Sequence, residues 1–368
     1  MVGGLSLLAI IPVALAQADT NSQARASETV GQQDKIALRL RYAGLPATWP
    51  VAKRHPSAKF EEFGPLPPPV EPADNQATPE RIALGELLFN SPALSASGQI
   101  GCSSCHNREL GWGDGLKTSF GHNRQRGTRN APSLFTVAWQ ENLFWDGRSP
   151  SLEHQAMMPV LNPIEMAGTK RRIEARLNRD QALRRAFLSA YGVRRIKLEN
   201  TAQALGAFQR SIRPRNSKWD RVVKNEGGSI LNDEELLGLD LFRTKAGCAS
   251  CHNGPLLSDQ QFHNLGLTFF GRSLEDRGRF LVTGDPADVG RFKTPSLRSV
   301  RHTAPYMHNG VLPNLEGVVN FYNGAGGQPR RVGEGRDSAL FPITSPMLQP
   351  LGLTPAEKAA LIAYLETL

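Results

Sequence analysis

The chain has 368 residues, of which 40% are apolar, 21% charged and 7% aromatic, a balance that fits about two folded globular domains and excludes disordered, collagen-like and polytopic membrane chains. Its formal net charge of +9 is local, because sixteen Lys and Arg between Lys170 and Lys224 face only four acids, an excess of twelve that leaves the rest at −3. One basic segment inside an otherwise slightly acidic chain argues against general nucleic-acid binding and calls for a local explanation.

In chain order, residues 3–16 (GGLSLLAIIPVALA) form an apolar run of secretory length, and Ala14-Leu15-Ala16 before Gln17 is a small-x-small cleavage signature, so residues 1–16 read as a signal peptide and the protein as periplasmic. Residues 17–77 open polar and contain Gly64-Pro65-Leu66-Pro67-Pro68-Pro69, which reads as an extended arm lying on the domains. Thr78-Pro79 starts an amphipathic helix that leads to Cys102-Ser103-Ser104-Cys105-His106, and Asn232-Asp233-Glu234-Glu235 starts another that leads to Cys248-Ala249-Ser250-Cys251-His252. The two lead-ins repeat: Leu84-Gly85-Glu86-Leu87-Leu88-Phe89 returns 153 residues later as Leu237-Gly238-Leu239-Asp240-Leu241-Phe242. Thr354-Pro355-Ala356-Glu357 opens a last helix with Leu361, Tyr364, Leu365 and Leu368 on one face. Gly (35) and Pro (26) together are about 17% of the chain against a usual ~12%, so long ordered loops are expected between helices. The expected fold is mainly α, with two domains each built around one C-x-x-C-H, the c-type haem attachment signature: a first haem domain over 78–225 that includes the basic helical connector, and a second over 226–368.

The two C-x-x-C-H motifs use all four cysteines. In an exported protein four cysteines ordinarily mean two disulfides. Here two thiols one turn apart can each form a thioether to a haem vinyl group while the adjoining His supplies an axial imidazole, so Cys102, Cys105 and His106 would hold one c-type haem and Cys248, Cys251 and His252 a second. A thioredoxin-like pair needs no following His, and a four-cysteine zinc site leaves both histidines unexplained.

An electron carrier caps both faces of its iron, whereas an enzyme leaves one open and equips it with acid–base groups. After the first motif come Gly111-Trp112-Gly113-Asp114-Gly115, Gly121-His122, Arg129-Asn130-Ala131-Pro132, Leu143-Phe144-Trp145-Asp146-Gly147-Arg148, Ser151-Leu152-Glu153-His154-Gln155-Ala156 and Asn162-Pro163-Ile164-Glu165-Met166. From about residue 78 to the C-terminus this ordered set resembles the bacterial di-haem cytochrome c peroxidase and MauG family. The resemblance implies reduction of hydrogen peroxide at the first haem, with Glu165 as distal carboxylate, Gln155 as distal amide, Pro159 shaping the pocket and Trp145 between the haems. It implies a calcium ion held by Asn130 and the carbonyls of Thr303 and Pro305, and a small cytochrome c or cupredoxin as donor, and it allows a homodimer.

The family's two branches differ at the second iron. Peroxidases of the family carry a Met where this chain, 17 residues beyond Pro305, has Tyr322; MauG carries a Tyr. A phenolate favours oxidised iron, a thioether reduced iron, and Met307 is the nearby alternative. His122 matches the histidine that caps the first iron in resting peroxidases, so the sequence is a hybrid. Arg298, Arg213 and Arg215 are candidate propionate partners, and His308 is expected near a haem edge. The alternative function is a MauG-like oxidation of side chains on a partner protein, and a pure electron-transfer cytochrome is the reading of another class.

Overall fold

The computed structural model describes residues 32–329 and 338–368; the signal segment over 3–16 and the polar start of the arm lie outside them. Helix α1 covers residues 32–42. It is followed by α2 (Pro79–Asn90), α3 (Leu152–Leu161), α4 (Lys170–Arg179), α5 (Gln181–Tyr191), α6 (Leu198–Ser211) and the short α7 (Lys218–Arg221). Next come α8 (Asp233–Arg243), the short α9 (Phe280–Thr283), α10 (Leu315–Asn323) and α11 (Pro355–Glu366). The chain is mainly helical; its ladder is a two-stranded antiparallel one pairing β1 (Phe262–His263) with β2 (Phe292–Lys293). Among the described residues no helix is long and apolar enough to cross a membrane.

Helix starts are set by side-chain caps, each of which satisfies amide donors that the first turn leaves open. The Thr78 hydroxyl accepts from the Arg81 amide at 3.3 Å with Pro79 in the first turn. Asn232 with Glu235 and Thr354 with Glu357 form reciprocal capping boxes at α8 and α11.

Two hydrophobic cores form. The first gathers Leu84, Leu88 and Phe89 of α2, Val160 of α3, Ile173 and Leu177 of α4, Phe187 of α5, and Leu205 and Phe208 of α6. The second gathers Trp219, Leu239, Phe242, Leu361 and Tyr364. The sequence repeat marks where each core is tightest. A Cβ on Gly85 would lie 2.0 Å from the Ala204 carbonyl oxygen of α6, and one on Gly238 would lie 2.0 Å from the Ala360 carbonyl oxygen of α11. In both lobes a glycine lets the lead-in helix cross its partner backbone to backbone.

The arm lies on the lobes: its Pro-rich stretch 64–69 carries no helix or strand, and the Gly64 and Pro67 carbonyls accept from Arg298 and Trp139 at 2.8 Å each. It begins as helix α1 and sends Leu38, Tyr42, Trp49, Ala52 and Phe63 into the second core, because these apolar side chains stabilise by burial at roughly 25 cal/mol per Å². Trp219, Val222 and Val223, assigned by sequence to the first domain's connector, also pack there. Arg243, fully buried, clamps the arm through two bonds to the Glu62 carboxylate (2.6 and 2.9 Å) and one to the Pro50 carbonyl (2.8 Å).

Candidate active site

Each C-x-x-C-H winds into one tight turn. The amides of Cys105 and His106 both donate to the Cys102 carbonyl (3.2 and 2.9 Å), and those of Cys251 and His252 to the Cys248 carbonyl (3.2 and 2.9 Å). All six cysteine and histidine side chains consequently line one cavity of about 1200 Å³, and the four thiols are unbridged. His106 donates Nδ1–H to the Trp112 carbonyl at 2.8 Å and His252 donates Nδ1–H to the Leu257 carbonyl at 3.1 Å. Burial lowers the pKa of both rings, so each is neutral with Nε2 bearing a free lone pair, the tautomer an iron ligand requires. Burial also pushes the Cys102 and Cys248 thiols up to about 12 each. Paired thiols and a neutral imidazole at each of two places on one cavity fit two covalent haems; a disulfide framework would leave both imidazoles without a role.

Gln155, Pro159 and Glu165 line the same cavity. Ser151 caps α3, and the turn after it brings Gln155 and then Pro159 to the wall. The chain then folds back: the Glu165 amide donates to the Asn162 carbonyl at 3.1 Å, and Asn162 Nδ2 donates to Glu165 Oε1 at 2.8 Å. Burial raises the Glu165 pKa, with Arg148 and the Asn162 bond partly offsetting it. The segment is held from above by Gly121-His122. The His122 amide donates to the Ile164 and Glu165 carbonyls, and a Cβ on Gly121 would lie 2.2 Å from the Ile164 oxygen.

Gly121 lines the cavity, and the neighbouring His122 has its Nδ1 buried without a partner. The contacts that place it are those of its backbone, in a turn whose next two residues have positive φ. The propionate candidates have partners within the protein. Arg298 lines the cavity but is engaged by Asp220 (2.7 Å) and by the Pro255 and Gly64 carbonyls. Arg213 bonds the Arg210 and Ile212 carbonyls, and Arg215 is exposed near Glu109.

Trp145 lines the same cavity as both motifs. Its Nε1 donates to the Asn130 carbonyl at 3.0 Å, its carbonyl accepts from the Lys293 amide at 2.8 Å, and its ring meets His308 edge-on at 6.5 Å. His308 stacks on Phe292 at 3.5 Å with Nε2 buried and unpartnered. Burial lowers its pKa to about 3. Lys293, missed in the sequence, is buried against the Gln140 side chain and the Asn142 carbonyl, and burial lowers its pKa to about 7. Its one signal was a cation inside the short β2 run.

On α10, Leu315, Val318, Val319 and Tyr322 reach the cavity at helical spacing. Desolvation raises the Tyr322 phenol. Met307 reaches the same cavity from a left-handed residue (φ 73°). Met347, also missed, places its sulfur 3.7 Å from the Cys251 sulfur. Asn130, Thr303 and Pro305 all line the cavity, and because Asn130 Nδ2 donates to the Leu116 carbonyl at 2.9 Å, its Oδ1 is left as the free acceptor.

Residues 79–228 match the protein family described as Di-haem cytochrome c peroxidase. The chain is 36% identical over 364 residues to cytochrome-c peroxidase IdrP1 of Denitromonas iodatirespirans, spanning 90% of this chain and 93% of that protein. It is 35% identical over 346 residues to the methylamine utilization protein MauG of Methylorubrum extorquens, spanning 94% and 88%. Among solved structures, a MauG-like protein associated with microbial copper homeostasis superposes with a TM-score of 0.73 at 36% identity, covering 82% of this chain and 93% of that one. The chain therefore belongs to the di-haem cytochrome c peroxidase and MauG family. It is an oxidoreductase of the peroxidase type, and membership implies two c-type haems.

Proposed function

We propose that this protein reduces hydrogen peroxide to water beside His106, drawing electrons from a small cytochrome c or cupredoxin in the periplasm. The observation that carries the reading is that Glu165, Gln155 and Pro159 line the cavity into which His106 also reaches. The haems held by Cys102, Cys105 and His106, and by Cys248, Cys251 and His252, supply when bound the iron redox chemistry that cleaves the O–O bond. The protein's part is proton movement. Glu165, half-buried and with a raised pKa, accepts a proton from one peroxide oxygen and returns it to the other, while Gln155 orients peroxide without adding charge. Trp145, pinned at both its indole N–H and its carbonyl, is held rigid for a relay role between the two haems. A calcium ion fits the free Asn130 Oδ1 with the carbonyls of Thr303 and Pro305, all hard oxygen donors.

Tyr322 favours a second reading. If it ligates the second iron in place of a methionine, that iron holds an oxidising equivalent better than it stores an electron, which suits a MauG-like oxidation of side chains on a partner protein. A pure electron carrier leaves the three-residue acid–base wall without a use.

Stopped-flow mixing of the holoprotein with peroxide, with and without reduced small cytochrome, tests these readings. Fast cytochrome oxidation supports the peroxidase, slow turnover with a long-lived oxidised state supports the MauG-like enzyme, and indifference to peroxide removes both. A redox titration of Tyr322→Met that shows no rise in the second haem's potential takes Tyr322 off the iron.

A further inference from the structure

The loop that carries Trp145 belongs to the first lobe by its apolar packing and to the second by its polar anchors. Leu143 packs in the first core. The residues around it are gripped from the second lobe. The Gln260 side chain accepts from the Glu141 amide at 3.0 Å, and Arg279 donates to the Asp146 and Gly147 carbonyls (2.9 and 3.2 Å). Lys293 holds three points at once. Its backbone amide donates to the Trp145 carbonyl at 2.8 Å, and its ammonium donates to the Gln140 side-chain oxygen and to the Asn142 carbonyl.

Lys293 is buried and, among the described residues, forms no ion pair; Glu141 attracts its charge without bonding to it. Burying an ammonium against neutral acceptors costs free energy that an apolar side chain of similar length avoids. What the ammonium does in return is confined to residues 140 and 142, just ahead of the indole. The strand it sits on reaches the indole by a second route: Phe292, its neighbour in β2, stacks on His308, and His308 meets the Trp145 ring edge-on. Main chain and ring of Trp145 are thus both referred to β2. Such anchoring matters for a relay, because a misplacement of about 1 Å in reacting groups can cost ~100-fold in rate.

We propose that Lys293 is a positioning residue for electron exchange between the haems: its ammonium ties residues 140 and 142 of the first lobe to β2 of the second and so fixes the Trp145 indole for relay. In the exchange one electron leaves the haem held by His252 and enters the oxidised haem held by His106, and the small redox donor replaces it. The proposal rests on the relay role given to Trp145 above.

The test uses the di-haem holoprotein. Lys293→Met keeps the side-chain length and the amide bond to the Trp145 carbonyl and removes only the ammonium; Arg279 and the Arg129–Asp276 pair (2.6 and 2.8 Å) remain to join the lobes. In single-turnover stopped flow of the reduced protein with one equivalent of peroxide, we expect electron exchange between the haems to slow at least tenfold. The bimolecular reaction with peroxide should keep its rate. In ultraviolet resonance Raman spectra, with Trp145→Phe as the difference that assigns the band, the Trp145 indole N–H should move toward its unbonded position. Gln140→Met removes an acceptor of the same ammonium and should slow exchange likewise, whereas Gln140→Glu keeps an acceptor and should hold the rate within about twofold. This pair decides the matter if Lys293→Met does not fold. Unchanged exchange in Lys293→Met or Gln140→Met, equal losses in Gln140→Met and Gln140→Glu, or a parallel fall in the peroxide reaction overturns the positioning role. Trp145→Phe that exchanges electrons at the parent rate overturns the relay reading instead, and the Raman band of Lys293→Met reports on the indole independently of it.

Discussion

The indole N–H of Trp145 donates to the backbone carbonyl of Asn130 at 3.0 Å, while the amide of the same Asn130 donates to the His308 carbonyl at 2.7 Å. One buried residue thus fixes the aromatic side chain in the cavity wall and ties it to the segment after Pro305. Trp145→Phe keeps the ring volume largely intact and strips the donor, leaving the Asn130 carbonyl unpaired. We expect a loss of about 1–3 kcal/mol in denaturant unfolding of the holoprotein, together with slower electron exchange between the haems in single-turnover experiments; an unchanged unfolding midpoint contradicts the first.

Glu165 carries opposite demands for activity and stability. Because burial raises its pKa, the protonated form is favoured by the fold. The fold is therefore penalised as pH rises from the ordinary carboxylate range through the raised value. Glu165→Gln should be slightly more stable than the parent at neutral pH and equally stable in acid, yet reduce peroxide roughly two to four orders of magnitude more slowly. In the parent, turnover should fall in acid with a midpoint above the ordinary carboxylate value, and that limb should vanish in the variant.

Gly121 is a test of position without chemistry. An added methyl would meet the Ile164 carbonyl at 2.2 Å and the Glu165 Cα at 2.7 Å, both backbone atoms that cannot rotate away. Gly121→Ala should lower peroxide turnover by shifting the Glu165 loop while leaving the spectrum of the second haem as it was. A normal rate would mean that the loop tolerates the shift.

The Arg243–Glu62 clamp predicts an asymmetry. Glu62→Gln leaves a fully buried guanidinium short of its countercharge and should cost about 3–5 kcal/mol, whereas Arg243→Met with Glu62→Leu, which removes both charges, should cost much less. Paired chemical denaturation curves decide it.

What was legible in the sequence is what depends on neighbours in the chain. Capping residues named the starts of α2, α8 and α11, and the Leu-Gly repeat named the two helices that lead to the motifs. The repeat could not say why glycine stood there; only the crossings with α6 and α11 supply the missing Cβ as a reason. His122 carried a family motif, but its backbone bonds to Ile164 and Glu165 are long-range and could not be read from the chain. The arm's prolines marked its extended stretch, whereas the burial of Tyr42, Trp49 and Phe63 in the second core depends on residues far along the chain. Met347 gave no signal and Lys293 only a cation in a short run, since each depends on what lies across the cavity.

The two cores draw on different spans of the chain. The first is assembled wholly from residues 84 to 212. The second needs Leu38, Tyr42 and Trp49 from the beginning and Leu361, Tyr364 and Leu368 from the very end. The N-terminal arm must therefore wait, with its aromatic side chains uncovered, until the last helix arrives, and the first lobe folds as an insertion between the two halves of the second. A chain stopped short of α11 would keep an intact first lobe and display an unsatisfied apolar arm, the state in which this protein is most exposed to aggregation and to proteases.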